Sequence, residues 1–358
     1  MLNNIKTIVY FGDFNPAYSR NRILIKGLQE NGIEILWCNE NKLKGWKKYL
    51  SLIKKIKALP KDFDLLIVGY SDSRAMVPLA KLFFRKPIVW DAFYSLYENW
   101  VNDRKLAGPK SLKAKYYWFL DWFSCVLADR ILLTTFADIV YFIKTFRILR
   151  QKFIRVLVGF SDDIIYPREK NIKSDAFTVG YHGRYIPVLG TRYIILAAKI
   201  LAKENIKFFI IGDGQDYGLV KKLAEELNLD NIDFIPVVNF IDLPQHMAKA
   251  DIYLGLLSDI PRAFVNIPNK IFEAMAMKKP TINIKSPAIE EVFKDGEDII
   301  LCQPANPQDL AKSILLLKNN LDLRRKICNN AYNKVQQIAT PRAIAKDLLS
   351  HLILINKI

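Results

Sequence analysis

Short runs of β-branched and aromatic residues alternate with helical segments from one end of the chain to the other, and no other feature restricts its folding as strongly. In the first half the runs KTIVYF, IEILW, DLLIVGY, PIVWD, RILLTT and FIRVLVG are separated by apolar residues at helical spacing over 19–30, 42–59, 73–84, 112–128 and 137–146. A strand, a helix and a further strand in succession place the two strands parallel. This order therefore predicts a doubly wound parallel α/β sheet. The second half repeats the plan with FTVGYH, KFFIIG, IDFIP, DIYLGLL, PTINI and DIILC, and its helices are expected at 191–203, 217–228, 242–249, 269–277 and from 306 to 351. Two Rossmann-like domains facing across a cleft follow, with ligands at the carboxyl ends of the strands. The polar stretch 166–174 (YPREKNIKS) marks the expected seam, giving domains 1–168 and 169–339.

The chain's 358 residues suit two domains, and 51% hydrophobic composition supplies a core for each. Cys38, Cys125, Cys302 and Cys328 lie far apart with no CxxC pair. That spacing excludes a disulfide scaffold and a zinc cluster, and fits a reducing cytosol. MLNNIKTIVYFGDF has too short an apolar run for a signal peptide, and the apolar stretch from Tyr116 is broken at Asp121, so no membrane span is expected. The net charge of +17 is uneven: residues 1–170 hold 29 basic and 16 acidic groups. The first domain is thus expected to meet a polyanion, either a phospholipid surface, a nucleic acid or a phosphorylated substrate.

Three loops carry candidate chemistry. Gly12-Asp13 closes the first strand and opens a helix, where backbone N–H groups can face an anion. Gly183-Arg184 closes the first strand of the second half; the guanidinium there is either an ordinary surface group or a bidentate phosphate grip. IIGDGQ, with Gly212 and Gly214, reads as a structural turn.

With these loops, five segments resemble the retaining nucleotide-sugar glycosyltransferases of family 4, which have the GT-B fold. They are VGYHGRYIPVLG (179–190), FFIIGDGQDYGLVKKLAEELNLDNIDFIP (208–236), MAKADIYLGLL (247–257), IPNKIFEAMAMKKPTI (267–282) and AIEEVFKDGEDIILCQPANPQDLAKSI (288–314). The resemblance implies a C-terminal helix, 340–358, that returns to the N-terminal domain. It also implies that Arg184 lies on the donor diphosphate, that Glu273 holds the donor ribose hydroxyls, that the N–H groups of Asn269, Lys270 and Ile271 cap the diphosphate, and that Gly12 and Gly183 let it approach the main chain. No metal cofactor is implied, and the donor is UDP- or GDP-linked. Two positions depart from the family's pattern: Leu189 stands where members usually carry Lys, and Val265 where they often carry Glu. Asp91 stands where many carry His. These departures keep open the alternative of a catalytically impaired binding or regulatory protein with the same fold.

The implied chemistry is sugar transfer with retention, in which charge develops on the leaving phosphate and preorganised cations stabilise it. Arg184 is the first candidate for that role and Lys270 the second. Asp91 either orients the sugar or acceptor hydroxyl, or caps the following helix. Asp62 and Asp64 form a DxD pair, but they precede a strand, the wrong end of a sheet for ligand chemistry. A metal site is not expected there.

Two segments concentrate the basic excess. KLKGWKKYLSLIKKIKAL (42–59) sets Leu43, Trp46, Leu50, Ile53 and Ile56 at helical spacing among Lys47, Lys48, Lys54, Lys55 and other lysines. PKSLKAKYYWFLDWF (109–123) places three lysines ahead of Trp118, Trp122 and other aromatics. Each is either a core-facing helix with a basic rim or a shallow dock on an anionic leaflet; the second choice makes Lys47, Lys48, Lys54, Lys55, Trp118 and Trp122 membrane-facing. Within the family resemblance this implies a lipid-linked or glycan acceptor, and a cytoplasmic enzyme held peripherally on the inner face of the plasma membrane. A nucleic-acid-binding protein would explain the charge, yet no helix-turn-helix, zinc finger or RNA-binding signature accompanies it, so no nucleic-acid partner is expected.

Overall fold

The computed structural model describes residues 5–169 and 175–353. The chain divides into two compact units, residues 1–159 with 339–358, and residues 160–338. The division thus falls at Gly159 rather than at 168, and the expected seam lies partly outside the described residues.

The N-terminal unit holds a six-stranded parallel sheet formed by β1 (Thr7–Gly12), β2 (Glu34–Asn39), β3 (Leu65–Val68), β4 (Ile88–Asp91), β5 (Arg130–Leu133) and β6 (Phe153–Arg155). Its order is β2-β1-β3-β4-β5-β6. Every residue of β3 and β4 is buried, which is why LLIV and IVW read as unbroken apolar runs, whereas the edge strand β2 keeps Glu34 and Trp37 exposed. Helix starts follow local side-chain chemistry: Ser111 Oγ accepts the Ala114 N–H and Thr135 Oγ1 the Asp138 N–H. Helix Pro341–Ile353 packs on helix Ser19–Glu30, close enough that a Cβ on Gly27 would strike the Pro341 carbonyl, and Asn31 Nδ2 donates to the Arg342 carbonyl at 3.0 Å.

The C-terminal unit holds a second six-stranded parallel sheet: β7 (Phe177–His182), β8 (Ile206–Ile211), β9 (Ile232–Ile235), β10 (Ile252–Leu254), β11 (Thr281–Ile284) and β12 (Ile300–Cys302), in the order β12-β11-β10-β7-β8-β9. The strand order reverses between β7 and β10, the place where a sheet of this kind offers a crevice to ligands.

Both basic segments differ from expectation in which face they bury. In helix Gly45–Ala58, Leu52 is buried, and Tyr49, Ile56 and Leu59 pack on the N-terminal core. Trp46, at 68% exposure, and Leu50, at 49%, form a second apolar stripe that faces outward with Leu43. Lys48 is drawn to Asp13 at 2.6 Å and Lys55 to Glu40 at 3.0 Å, the latter pair pulling the Glu40 carboxyl down to about 2. In helix Leu112–Leu127, Trp118 and Trp122 turn inward, stacked on each other and packed on the core, and Trp118 Nε1 donates to the Thr145 carbonyl. Leu112, Tyr116 and Phe119 are exposed on that helix, with Val126, in place of the two tryptophans. Of the DxD pair, Asp64 accepts the N–H groups of Lys6 and Thr7 at the start of β1, and Asp62 is exposed.

Candidate functional site

At the carboxyl end of β7 the chain passes through His182, Gly183 and Arg184, and the end of β10 lies beside it. Gly183 has φ +147°, and a Cβ there would lie 2.6 Å from Lys270 Nζ. Only glycine leaves room for both the backbone turn and the ammonium. Tyr185 N–H donates to the Asp213 carbonyl at 2.9 Å, so the IIGDGQ turn is bonded to the loop that carries Arg184. Arg184 itself is exposed.

Helix Asn269–Ala276 brings Lys270 and Glu273 to this point. Lys270 is 6% exposed, its Nζ has no hydrogen-bond partner, and it sits 3.7 Å from the centroid of the Tyr181 ring. Burial holds its pKa well below the ordinary lysine value, with the Glu273 charge opposing that shift. A buried ammonium left unpaired is costly, and the aromatic face offsets only part of the cost. The Ile271 N–H is less available than the sequence implies, since it donates to the Pro268 carbonyl at 3.1 Å. Glu273, 4% exposed, is gripped by a residue to which the sequence assigns no role: His182 Nε2 lies 2.8 Å from Glu273 Oε2, and His182 Nδ1 lies 3.2 Å from the Tyr253 hydroxyl. Leu189, the departure from the family's lysine, is buried in the core of this unit, and a Cβ on Gly183 would lie 3.5 Å from its Cδ1. Lys270 and Leu189 thus meet at one glycine, where the chain carries a cation on a different element from the expected one.

The carboxyl end of the first sheet is built differently. Gly12 takes φ +138° as β1 ends, with Met76 the nearest side chain. Asp91 is fully buried, and its carboxylate accepts three hydrogen bonds from Arg20 Nε and Nη2 at 2.9–3.1 Å, while Arg20 Nη1 donates to the Val156 and Leu157 carbonyls. Neither expected role, ligand orientation or helix capping, describes that arrangement; Asp91 is the counter-charge of a buried arginine. Among the described residues no group of three or more His, Cys, Asp and Glu could hold a metal ion, and no helix is long and apolar enough to cross a membrane.

Residues 162–334 match the family described as glycosyl transferases group 1. The match contains Gly183, Arg184, Lys270 and Glu273. An uncharacterized glycosyltransferase of Haemophilus influenzae is 26% identical over 286 residues, 77% of this chain and 73% of that protein. An α-1,4-N-acetyl-D-galactosaminyltransferase of Campylobacter jejuni, named for a GalNAc-α-(1→4)-GalNAc-α-(1→3)-diNAcBac-PP-undecaprenol substrate, is 24% identical over 289 residues, 80% of this chain and 73% of that one. Among solved structures, Anabaena HepE in complex with UDP-glucose superposes with a TM-score of 0.73 at 18% identity, over 98% of this chain and 100% of that one. That likeness shows the GT-B fold, and the sequence matches support a glycosyltransferase.

Proposed function

We propose that this chain is a glycosyltransferase that moves a sugar from a UDP- or GDP-linked donor to an acceptor hydroxyl with retention of anomeric configuration. The observation that carries the reading is the Lys270 ammonium, buried without a hydrogen-bond partner against Gly183, inside the segment that matches group 1 glycosyltransferases. A donor diphosphate beside Gly183 supplies the missing counter-charge. Arg184 closes on the same phosphates from the exposed side with its planar fork of donors. His182 holds one oxygen of Glu273, fixing the carboxylate so that the other accepts from the ribose hydroxyls. As the sugar–phosphate bond lengthens, negative charge grows on the leaving oxygen. Arg184, and Lys270 once the bound diphosphate has restored its charged form, stabilise it, worth several kcal/mol of barrier. Leu189 then costs no activity, because Lys270 delivers the charge. The nucleotide-sugar class is supported by the UDP-glucose complex of HepE.

The acceptor in this reading is lipid-linked or a cell-surface glycan, as the undecaprenol-named relative supports. The enzyme then works on the cytoplasmic leaflet, docked through the outward stripe Leu43, Trp46 and Leu50 with Lys47 and Lys54, and through Leu112, Tyr116 and Phe119. The excess of cations over residues 1–170 favours an anionic surface as the partner of that stripe.

The test is a panel of UDP- and GDP-sugars screened by thermal shift, then turnover of the binding donor on a polyprenol-diphosphate glycan, with the product's anomeric configuration read by NMR. A ligand at 100 times its Kd raises stability by about 2.7 kcal/mol. Failure of every nucleotide sugar to bind overturns the reading, and an inverted product overturns retention. Because the chain's own cations neutralise the diphosphate, turnover is expected to survive EDTA; a strict Mg²⁺ requirement contradicts that part.

A further inference from the structure

At the amino ends of β4, β5 and β6, the opposite edge of the N-terminal sheet from Asp91, a cleft of about 540 Å³ opens. Lys81, Arg85, Lys86, Arg130 and Lys152 line it, and Asp129 is the one acidic side chain among its lining residues. That carboxylate is already engaged, since Oδ2 accepts the Ile88 N–H at 2.8 Å and Oδ1 lies 3.7 Å from Lys81 Nζ. Lys152 is fixed by donating to the carbonyls of Cys125, Val126 and Ala128, at the end of helix Leu112–Leu127. Arg130 spends one nitrogen on the Asp129 carbonyl. Arg85 and Lys86 are exposed on the turn into β4. Burial, together with the like charges of Lys81 and Arg130, holds the Lys152 pKa below its ordinary value.

Five cations in one concavity, with a single committed carboxylate, are a poor use of charge unless an anion completes them. Concave walls focus the field, and arginine forks beside lysine point charges suit phosphate oxygens. We propose that this cleft is an anion site for a phosphate group, separate from the residues assigned to the donor. The volume lies in the range of small-molecule sites, so the cleft has room for a phosphate carried on a larger body. A soluble phosphorylated compound and a phospholipid headgroup share that chemistry.

The test is equilibrium dialysis of the full chain against labelled inorganic phosphate in saturating UDP, with a parallel arm of phosphatidylglycerol–phosphatidylcholine vesicles. Arg85→Gln combined with Lys86→Gln is expected to weaken phosphate binding about tenfold, the loss of roughly one charge-assisted hydrogen bond, with UDP affinity and the phosphate-free thermal transition unchanged. Lys81→Gln is expected to act in the same direction, and it serves as the second variant should the double substitution impair folding. If the variant also loses vesicle binding, and free phosphate competes for it in wild type, the ligand is a headgroup. If only soluble phosphate responds, the ligand is a soluble compound. Equal phosphate affinity in wild type and variants, or no binding of phosphate and vesicles by wild type, overturns the proposal. Failure of UDP to bind leaves this comparison intact and counts only against the donor reading.

Discussion

The two units present the same kind of edge, the carboxyl ends of a parallel six-stranded sheet, and load it with charge in opposite ways. In the N-terminal unit the charges cancel inside the protein. Arg20 and Asp91 are 1% and 0% exposed. Arg74 repeats the device with Asp121, which also accepts from Ser95 Oγ and the Tyr97 N–H. In the C-terminal unit the buried cation at the edge, Lys270, has no carboxylate bonded to it, and Glu273 is held by His182 instead. A buried charge with an internal partner fixes one conformation of the loops around it. A buried charge without one makes the folded state strained until a ligand supplies the partner. On this comparison the first edge closes its own charges, and the second is the one the proposed function uses for binding.

The largest expected effect separates the two directly. Arg20→Met leaves Asp91 buried without its cation and is expected to cost about 3–5 kcal/mol in urea unfolding. Lys270→Met removes a charge that the fold does not pair and is expected to leave stability unchanged or higher, while UDP affinity falls. A Lys270→Met protein as destabilised as Arg20→Met would break the comparison.

Next in size is the donor site itself. Arg184→Ala and Glu273→Gln are each expected to lower UDP affinity by about 1.5–3 kcal/mol, roughly ten- to hundredfold, measured by calorimetry. Unchanged affinity in both variants would mean that the edge of β7 is as self-contained as that of β4.

The pH dependence is smaller and its sign is fixed. Lys270 has a depressed pKa in the free protein because burial disfavours the ammonium, and a bound diphosphate restores the charged form. Between the two values the complex holds more protons than the free protein, so binding takes up a proton and tightens as pH falls. Calorimetry in buffers of different ionisation enthalpy reads this uptake. Its persistence in Lys270→Met would assign it to another group.

The repeated strand–helix alternation was enough to read two parallel sheets, because fully buried strands leave unbroken apolar runs such as LLIV. Gly183 and Arg184 could be named as candidates because they close a strand, whereas Glu273, inside helix Asn269–Ala276, was named only through the resemblance to the family's motif. Pairings across the fold were not legible. His182 and Glu273 are separated by 91 positions and Arg20 and Asp91 by 71, and nothing local in either partner names the other. Helical phase was ambiguous as well. Residues 43–59 carry two apolar stripes, Leu43–Trp46–Leu50 and Tyr49–Leu52–Ile56–Leu59, and spacing alone does not say which one meets the core. Trp118 and Trp122 turned inward for the same reason, since the neighbouring helix Phe136–Phe146, whose Phe146 ring and Thr145 carbonyl meet Trp118, selects the face.

The smallest predicted effect uses that helix to carry the contrast between paired and unpaired charge to the surface. Lys47 and Lys54 are exposed, while the ammonium groups of Lys48 and Lys55 are held at Asp13 and Glu40. A lysine beside an anionic leaflet contributes about 1 kcal/mol, and this decays within a Debye length of about 8–10 Å. A side chain anchored to a carboxylate on the protein therefore contributes less than one free to reach the headgroups. Lys47→Ser with Lys54→Ser is expected to weaken sedimentation with phosphatidylglycerol vesicles by up to about 2 kcal/mol, and Lys48→Ser with Lys55→Ser by distinctly less. Trp46→Ser should remove a part that ~0.5 M salt leaves in place, because apolar insertion is not screened. Equal losses from the two lysine pairs would show that the leaflet senses only net charge, and no sedimentation of wild type at low salt would remove the membrane from the proposed function while leaving the donor site untouched.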